Sequence, residues 1–555
     1  MPKAMNTTSP PVVRKQSKKS KLAKAPVRRA IPPIVYYSII GLVIVSFALI
    51  RLRLRDMPLE RDEGEYAYAG QLILQGVPPY RLAYNMKLPG TYAAYALILA
   101  GFGQTPAAVH YGLILVNAAT TFLVFLLASR LFGALAGVVS GTSYALLSTS
   151  PAVLGFAGHA THFVVLPAVG GILLLLSAIE SKDSKKFLWS GVLMGLAFVM
   201  KQPGIFFILF SALYIVKGEF KRPIDYRGLI RRLGLFLVGA GLPFAVTCLW
   251  MLGAGVFQKF WFWTFSYASQ YGTRLNLPEG MENLSMVLPH VLGPGTFVWI
   301  LAFFGLTALW WSPKGRAHAV FLGGFLLFSV LALSTGLYFR EHYFILILPA
   351  VALLVGLVVT AAEDSLTRYG LVRVLPIVMF LAACVYSIVD QSEFLFDLDP
   401  IEACRQTYGP NPFPEAIKIA DYIQRHSSDS DKIAVLGSEP EIYFYAHRRS
   451  ATGYVYTYPL MEVQEYARTM EKEMVKEIED SRPEFLVAVD VPYSWLARPD
   501  SDTSIFEWVG KYSNQYERVG IVDIGQTSEY RWGDEAMIYR PRSLFTVSIF
   551  KRRAQ

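Results

Sequence analysis

The chain has 555 residues, 53% of them hydrophobic and 17% charged, with a mean hydropathy of +0.37. That is too apolar and too sparsely charged for an ordinary soluble domain, and it points to a membrane protein. The formal net charge of +10 sits in the N-terminal tail and in short loops between apolar runs, a pattern of membrane topology that argues against a nucleic-acid partner.

Residues 1–31 are rich in Lys, Arg, Ser and Pro and lack apolar periodicity, so they are expected to be a disordered cytoplasmic tail. The apolar run that follows is long and has no small-residue cleavage site before Arg51-Leu52-Arg53-Leu54-Arg55, which favours an uncleaved first span over a signal peptide. A span needs about 20 mainly apolar residues. Eleven segments are expected, near 32–50, 107–129, 132–149, 160–180, 187–200, 204–216, 233–253, 291–311, 318–337, 342–361 and 371–389. With the N-terminus inside, alternate loops carry Arg130; Lys182, Lys185 and Lys186; Lys217, Lys221, Arg222, Arg227, Arg231 and Arg232; Lys314 and Arg316; Arg368 and Arg373. The opposite loops beyond the first hold only Lys201, Lys259, Arg274 and Arg340. This bias predicts a cytoplasmic N-terminus and an extracytoplasmic C-terminal region. The apolar stretch Pro89–Gly103 is too short to fit the count and is read as a juxtamembrane or re-entrant helix on the outer face.

Beyond Asp390 the sequence reads as an α/β domain, 390–555. Helices are expected at Pro414–His426 and Met461–Glu479, and strands at Lys432–Gly437, Glu484–Val489, Tyr516–Ile524 and Leu544–Phe550.

Titratable groups concentrate on the outer side. The first outer loop, 51–106, holds Arg61-Asp62-Glu63-Gly64-Glu65-Tyr66 and Lys87-Leu88-Pro89. Asp62 and Glu63 have two readings: carboxylates at the membrane edge acting as base or metal ligand, or acidic residues at an ordinary helix start, favoured by the dipole. Lys87 is either a partner for a lipid phosphate or a snorkelling interfacial lysine. Arg340, His342 and Lys201 are candidates to hold a phosphate by charge-assisted hydrogen bonds, or else interfacial anchors. His159 and His162 share a helical face and could bind a metal, although two histidines alone fall short of a zinc centre. Neither a nucleotide- nor a dinucleotide-binding fingerprint is found; a divalent metal stays open as a cofactor.

Together these elements resemble the GT-C glycosyltransferases: Asp62-Glu63, Tyr66-Ala67-Tyr68-Ala69, Lys87-Leu88-Pro89, Arg130-Leu131-Phe132-Gly133, and His342-Tyr343-Phe344 with Pro349. The nearest branch is that of the protein O-mannosyltransferases and the aminoarabinose transferases of lipid A. The resemblance implies a plasma (inner) membrane enzyme that moves a hexose or pentose, with inversion, from a polyprenyl-phosphate donor to a lipid, protein or glycan acceptor on the outer face. It implies Asp62 as catalytic carboxylate, Glu63 as its companion, and Lys87, Arg340 and His342 around the donor phosphate, where the residues themselves also suggest Lys201. Many relatives carry a second acidic residue in the next outer loop, where this chain offers His159 and His162. The competing readings are a transporter or flippase of lipid-linked sugars, against which stand the absence of a detectable repeat and the clustering of titratable groups on one face, and a non-catalytic membrane scaffold.

Overall fold

The computed structural model describes residues 32–218, 225–525 and 527–553. The tail expected over 1–31, together with Lys221 and Arg222, lies outside those residues. The membrane part begins with α1 (Pro33–Arg53), α2 (Arg61–Leu74), α3 (Gly90–Phe102), α4 (Pro106–Phe132), α5 (Ala134–Thr149), α6 (Ala160–Ser181), α7 (Ser184–Met200), α8 (Ile205–Gly218) and α9 (Tyr226–Gly253). It continues through helices Leu277–Leu292, Thr296–Trp311, Pro313–Leu333, Leu348–Ser365 and Leu375–Asp390. Each of the eleven expected segments is helical over most of its length. Among the described residues, seven helices are long and apolar enough to cross a membrane, or eight if the pair Leu277–Leu292 and Thr296–Trp311, bent by 110°, counts as one span. The chain is an integral multi-pass membrane protein.

Local signals set the ends. Thr105 caps α4 by accepting from the Ala108 N–H at 3.2 Å, Pro106 occupies its first turn, and Gly133 ends it at φ 102°, the usual division of labour between Pro and Gly. In lipid, apolar surface cannot drive helices together, so close backbone approach through small residues does. Gly191 of α7 and Gly239 of α9 face each other's helices so closely that neither position has room for a Cβ. The segment expected as a span from 342 departs from prediction: 341–346 is a 3-10 turn, and the α-helix starts at Leu348, just ahead of Pro349.

The arginines after the first span do more than flank it. Arg51 is buried and donates to the carbonyls of Ser148 (2.7 Å) and Gly155. Arg53 donates to the carbonyls of Phe394 (2.6 Å), Leu395 (2.8 Å) and Leu398. They tie the end of α1 to the end of α5 and to the segment that leaves the last span.

The C-terminal part holds a six-stranded sheet of order β2-β1-β3-β6-β4-β5, built from β1 (Lys432–Leu436), β2 (Arg449–Ser450), β3 (Phe485–Asp490), β4 (Tyr516–Asp523), β5 (Glu529–Trp532) and β6 (Thr546–Arg552). β1 is parallel to β2 and β3, and the remaining pairs are antiparallel. The four expected strands are present within two residues. The two-residue β2 and the four-residue β5 were not foreseen, being too short for a periodicity to show. The helix expected from Met461 starts at Ala467, because Tyr458–Met461 forms a separate turn of helix closed by the Glu462 N–H on the Tyr458 carbonyl.

This domain shares a core with the first loop. Tyr66, Tyr68, Tyr84 and Trp263 belong to the same buried cluster as Tyr443, Tyr454 and Val487. The Tyr84 N–H donates to the Gly453 carbonyl at 2.6 Å, and the Ser450 N–H to the Tyr68 hydroxyl at 2.7 Å. At Gly64 of α2 a Cβ would fall 2.7 Å from both Cβ and N of Glu441. Gly64→Leu is therefore expected to wedge the helix Glu441–Ala446 of the C-terminal part off α2, destabilising the protein by about 1–3 kcal/mol. A lowered melting temperature, with faster proteolysis of the C-terminal part, is the measurement.

Candidate active site

The acidic motif starts α2. Glu60 is the N-cap: its side chain accepts from the Glu63 N–H at 2.9 Å while Glu63 reaches back to the Glu60 N–H at 3.5 Å, a capping box. Residues Glu63 to Leu72 are all buried, and that sets this helix start apart from a solvated one. Burying a carboxylate demands partners, and each carboxylate here has its own set.

Asp62 retains access to solvent, with 22% of its side chain exposed. Its Oδ1 accepts from Lys87 Nζ at 2.8 Å and from the Tyr456 hydroxyl at 2.6 Å. Its Oδ2 lies 3.6 Å from His159 Nδ1. Burial pushes the Asp62 carboxyl up, but Lys87, His159 and His342 together outweigh it and hold the group well below the usual carboxylate range. Lys87 bridges to Glu65 Oε2, also at 2.8 Å, and its Nζ sits 4.6 Å from the centre of the Tyr66 ring. Glu65 is fully buried and further accepts from Asn85 Nδ2 at 2.8 Å and from the Tyr92 hydroxyl.

Glu63 is fully buried. It accepts from the Gly158 N–H at 2.6 Å and lies 3.3 Å from His110 Nε2 of α4. It thus ties α2 to the turn that presents His159. Glu60 lies 3.7 Å from His159 Nδ1, and burial, reinforced by Asp62, raises its carboxyl to about 7.

His159 and His342 come from separate segments and stack, with ring centroids 4.0 Å apart and planes 10° from parallel. One ligand atom from each of Asp62, His159 and His342 lies within 4.8 Å of the others. Both His159 nitrogens and His342 Nδ1 are buried without a hydrogen-bond partner. Two orphaned imidazoles facing one carboxylate fit a divalent cation, with three protein donors. His162, expected to pair with His159, is not in this group. It lies one turn into α6, fully buried, with neither ring nitrogen bonded.

Two further cations line the site. Lys201 Nζ sits 4.1 Å from the centre of the Tyr343 ring. Burial lowers its ammonium to about 7. Arg340 exposes much of its side chain while its charge is felt at Asp62 and at Lys201. Neither forms an ion pair with a carboxylate among the described residues. Asp62, Lys87, Lys201, Arg340, His159 and His342 are thus gathered from four stretches of sequence, whereas Glu63 and His162 are packed behind them.

The sequence reading missed Glu60, and Tyr456 and Tyr458 of the C-terminal part. Tyr458 packs against the Arg61 guanidinium, 5.2 Å from ring centre to Cζ. The available signal was Tyr454-Val455-Tyr456-Thr457-Tyr458, an aromatic alternation that reads as a strand but forms none.

Residues 87–241 match the family described as dolichyl-phosphate-mannose-protein mannosyltransferase. Among solved structures, the chain resembles ArnT from Cupriavidus metallidurans bound to undecaprenyl phosphate, at 14% identity and a TM-score of 0.59, covering 94% of this chain and 98% of that one. It also resembles the archaeal oligosaccharyltransferase AglB from Archaeoglobus fulgidus, in complex with an inhibitory peptide and a dolichol-phosphate. Here identity is 13% and the TM-score 0.51, covering 91% of this chain and 75% of that one. No curated protein matches the sequence. The fold expected from the first-loop and late-span motifs is the one found: GT-C-like, with a C-terminal α/β domain.

Proposed function

We propose that this GT-C-fold chain is a glycosyltransferase of the plasma (inner) membrane that transfers a sugar, with inversion, from a polyprenyl-phosphate donor to an acceptor hydroxyl on the outer face. The observation that carries the reading is Asp62: an ionised, solvent-reachable carboxylate on one side of a site whose other walls hold Lys87, Lys201 and Arg340. Attack at an anomeric carbon needs a hydroxyl that is oriented or deprotonated, and a departing phosphate needs positive charge where its own negative charge grows. Asp62 Oδ2 serves the first need. Lys201 and Arg340, without a carboxylate partner among the described residues, serve the second. Lys87, neutralised by Asp62 and Glu65, holds Asp62 ionised and is itself close enough to add to the field on the phosphate. Glu63 positions the His159 turn and has no access of its own to a substrate.

Asp62, His159 and His342 would hold a divalent cation, and such an ion would supply Lewis-acid stabilisation of phosphate charge. The match of residues 87–241 to mannosyltransferases, and the polyprenyl phosphates in the ArnT and AglB structures, support a lipid-linked donor.

Asp62→Asn is expected to abolish transfer, a loss of at least about 10²-fold, at unchanged protein abundance. The check is mass spectrometry of surface glycans and of polyprenyl-phosphate sugars, with the sugar missing from the glycans and retained on the lipid. Unchanged glycans would contradict the assignment of Asp62. Donor affinity has a pH dependence set by Lys201. Its ammonium is charged below about 7 and neutral above, so binding of undecaprenyl phosphate weakens between about pH 6 and about pH 8, about one unit below and above that midpoint. Lys201→Arg stays charged and flattens the profile. In protein purified without chelator, His342→Ala is expected to cut bound divalent metal at least about tenfold, measured by elemental mass spectrometry.

A further inference from the structure

The C-terminal domain reaches into the site through one side chain. Tyr456 is 7% exposed. Its hydroxyl donates to Asp62 Oδ1 at 2.6 Å, and its ring lies 5.3 Å from Lys87 Nζ. The backbone beside it is pinned to the sheet: the Thr457 N–H donates to Ser438 Oγ at 3.0 Å, and Thr457 Oγ1 to the Ser494 carbonyl at 3.1 Å. Ser438 and Ser494 follow the carboxyl ends of β1 and β3, where open α/β sheets place their ligand-binding crevice. In this protein Arg61 of α2 fills that place, donating from Nε to the Ser438 carbonyl at 2.5 Å and pairing with Glu439 at 3.1 Å.

The consequence falls on the two oxygens of Asp62. A carboxylate rotates about its last bond in a broad, roughly two-fold well, so one donor does not decide which oxygen faces the substrate. Lys87 Nζ could follow either oxygen, being on a flexible stem. The Tyr456 hydroxyl is on a ring locked by packing and cannot. With both donors on Oδ1, Oδ2 is left free of any donor nearer than His159 Nδ1 at 3.6 Å, on a side chain that keeps 22% of its surface exposed.

The geometry points to Tyr456 as a positioning residue, supplied by the C-terminal domain, that fixes the Asp62 carboxylate with Oδ2 presented to the acceptor. The inference rests on the reading of Asp62 as the catalytic carboxylate. It gives the C-terminal domain a part in the reaction itself, so separating the domain from α2 removes activity even where the membrane part stays folded.

The test is Tyr456→Phe, which keeps the ring and loses only the hydroxyl. Three quantities are measured on the full chain: melting temperature, affinity for undecaprenyl phosphate, and turnover with lipid-linked sugars extracted from the cells that make the protein. The expected result is an unchanged melting temperature, unchanged affinity, and turnover lower by about 10- to 100-fold. Unchanged turnover overturns the inference. So does a loss of turnover that tracks an equal loss of affinity or a drop in melting temperature, since the hydroxyl would then serve binding or folding. Asp62→Asn, measured in parallel, separates the two claims. If it retains turnover, the reading of Asp62 fails; if it is inactive while Tyr456→Phe is normal, only the role of Tyr456 fails.

Discussion

The structure depends on the bridge from Lys87 to Asp62 and Glu65. Its three members come from the start of α2 and from the far end of the same outer loop, and the ammonium sits 2.8 Å from each carboxylate. Buried charges are tolerated only when paired and hydrogen-bonded. The bridge therefore obliges the loop between α2 and α3 to fold back, and so places α3 beside α2. Tyr80 helps close this loop by donating to the Lys87 carbonyl at 2.6 Å. Breaking the pair would strand a buried charge on either side, so the lysine is held as firmly as the carboxylates are.

Around that bridge the acidic residues divide their work by burial. Glu60 and Glu63 build the helix cap and draw in the His159 turn; Glu65 anchors Lys87, Asn85 and Tyr92; Asp62 is the most exposed of the four, with 22% of its side chain accessible. Helix start and candidate site are thus one object. The dipole and the first-turn N–H groups that favour acids at a helix N-terminus also help support four carboxylates within six residues, a density that water-excluded surroundings would otherwise forbid.

Most of the membrane architecture was legible because its rules are local. Hydropathy located the eleven segments, and Pro or Gly marked ends such as Pro106 and Gly133. The short 89–103 stretch, expected as a juxtamembrane or re-entrant helix, forms α3, a helix of 13 residues. In the site, Asp62, Lys87, His159, Lys201, Arg340 and His342 were all named from sequence and family resemblance, and they do converge. What stayed hidden was pairing at long range. Nothing in the spacing of His159 and His162 says that the partner of His159 is His342, 183 residues on. Nor does the loop reveal that Tyr456, separated from Asp62 by nearly 400 residues and lying in an irregular segment, completes the carboxylate's shell. The buried state of Glu63 was also unreadable, because its partners Gly158 and His110 lie far along the chain.

The central claim, that Asp62 acts on the acceptor and the cations hold the donor, separates chemistry from binding. The most direct test is a comparison of undecaprenyl phosphate affinity and sugar transfer in purified wild-type protein and Asp62→Asn. The account predicts transfer lost and affinity kept within about threefold, a change worth less than about 1 kcal/mol. Transfer retained, or transfer and affinity lost together, would contradict it.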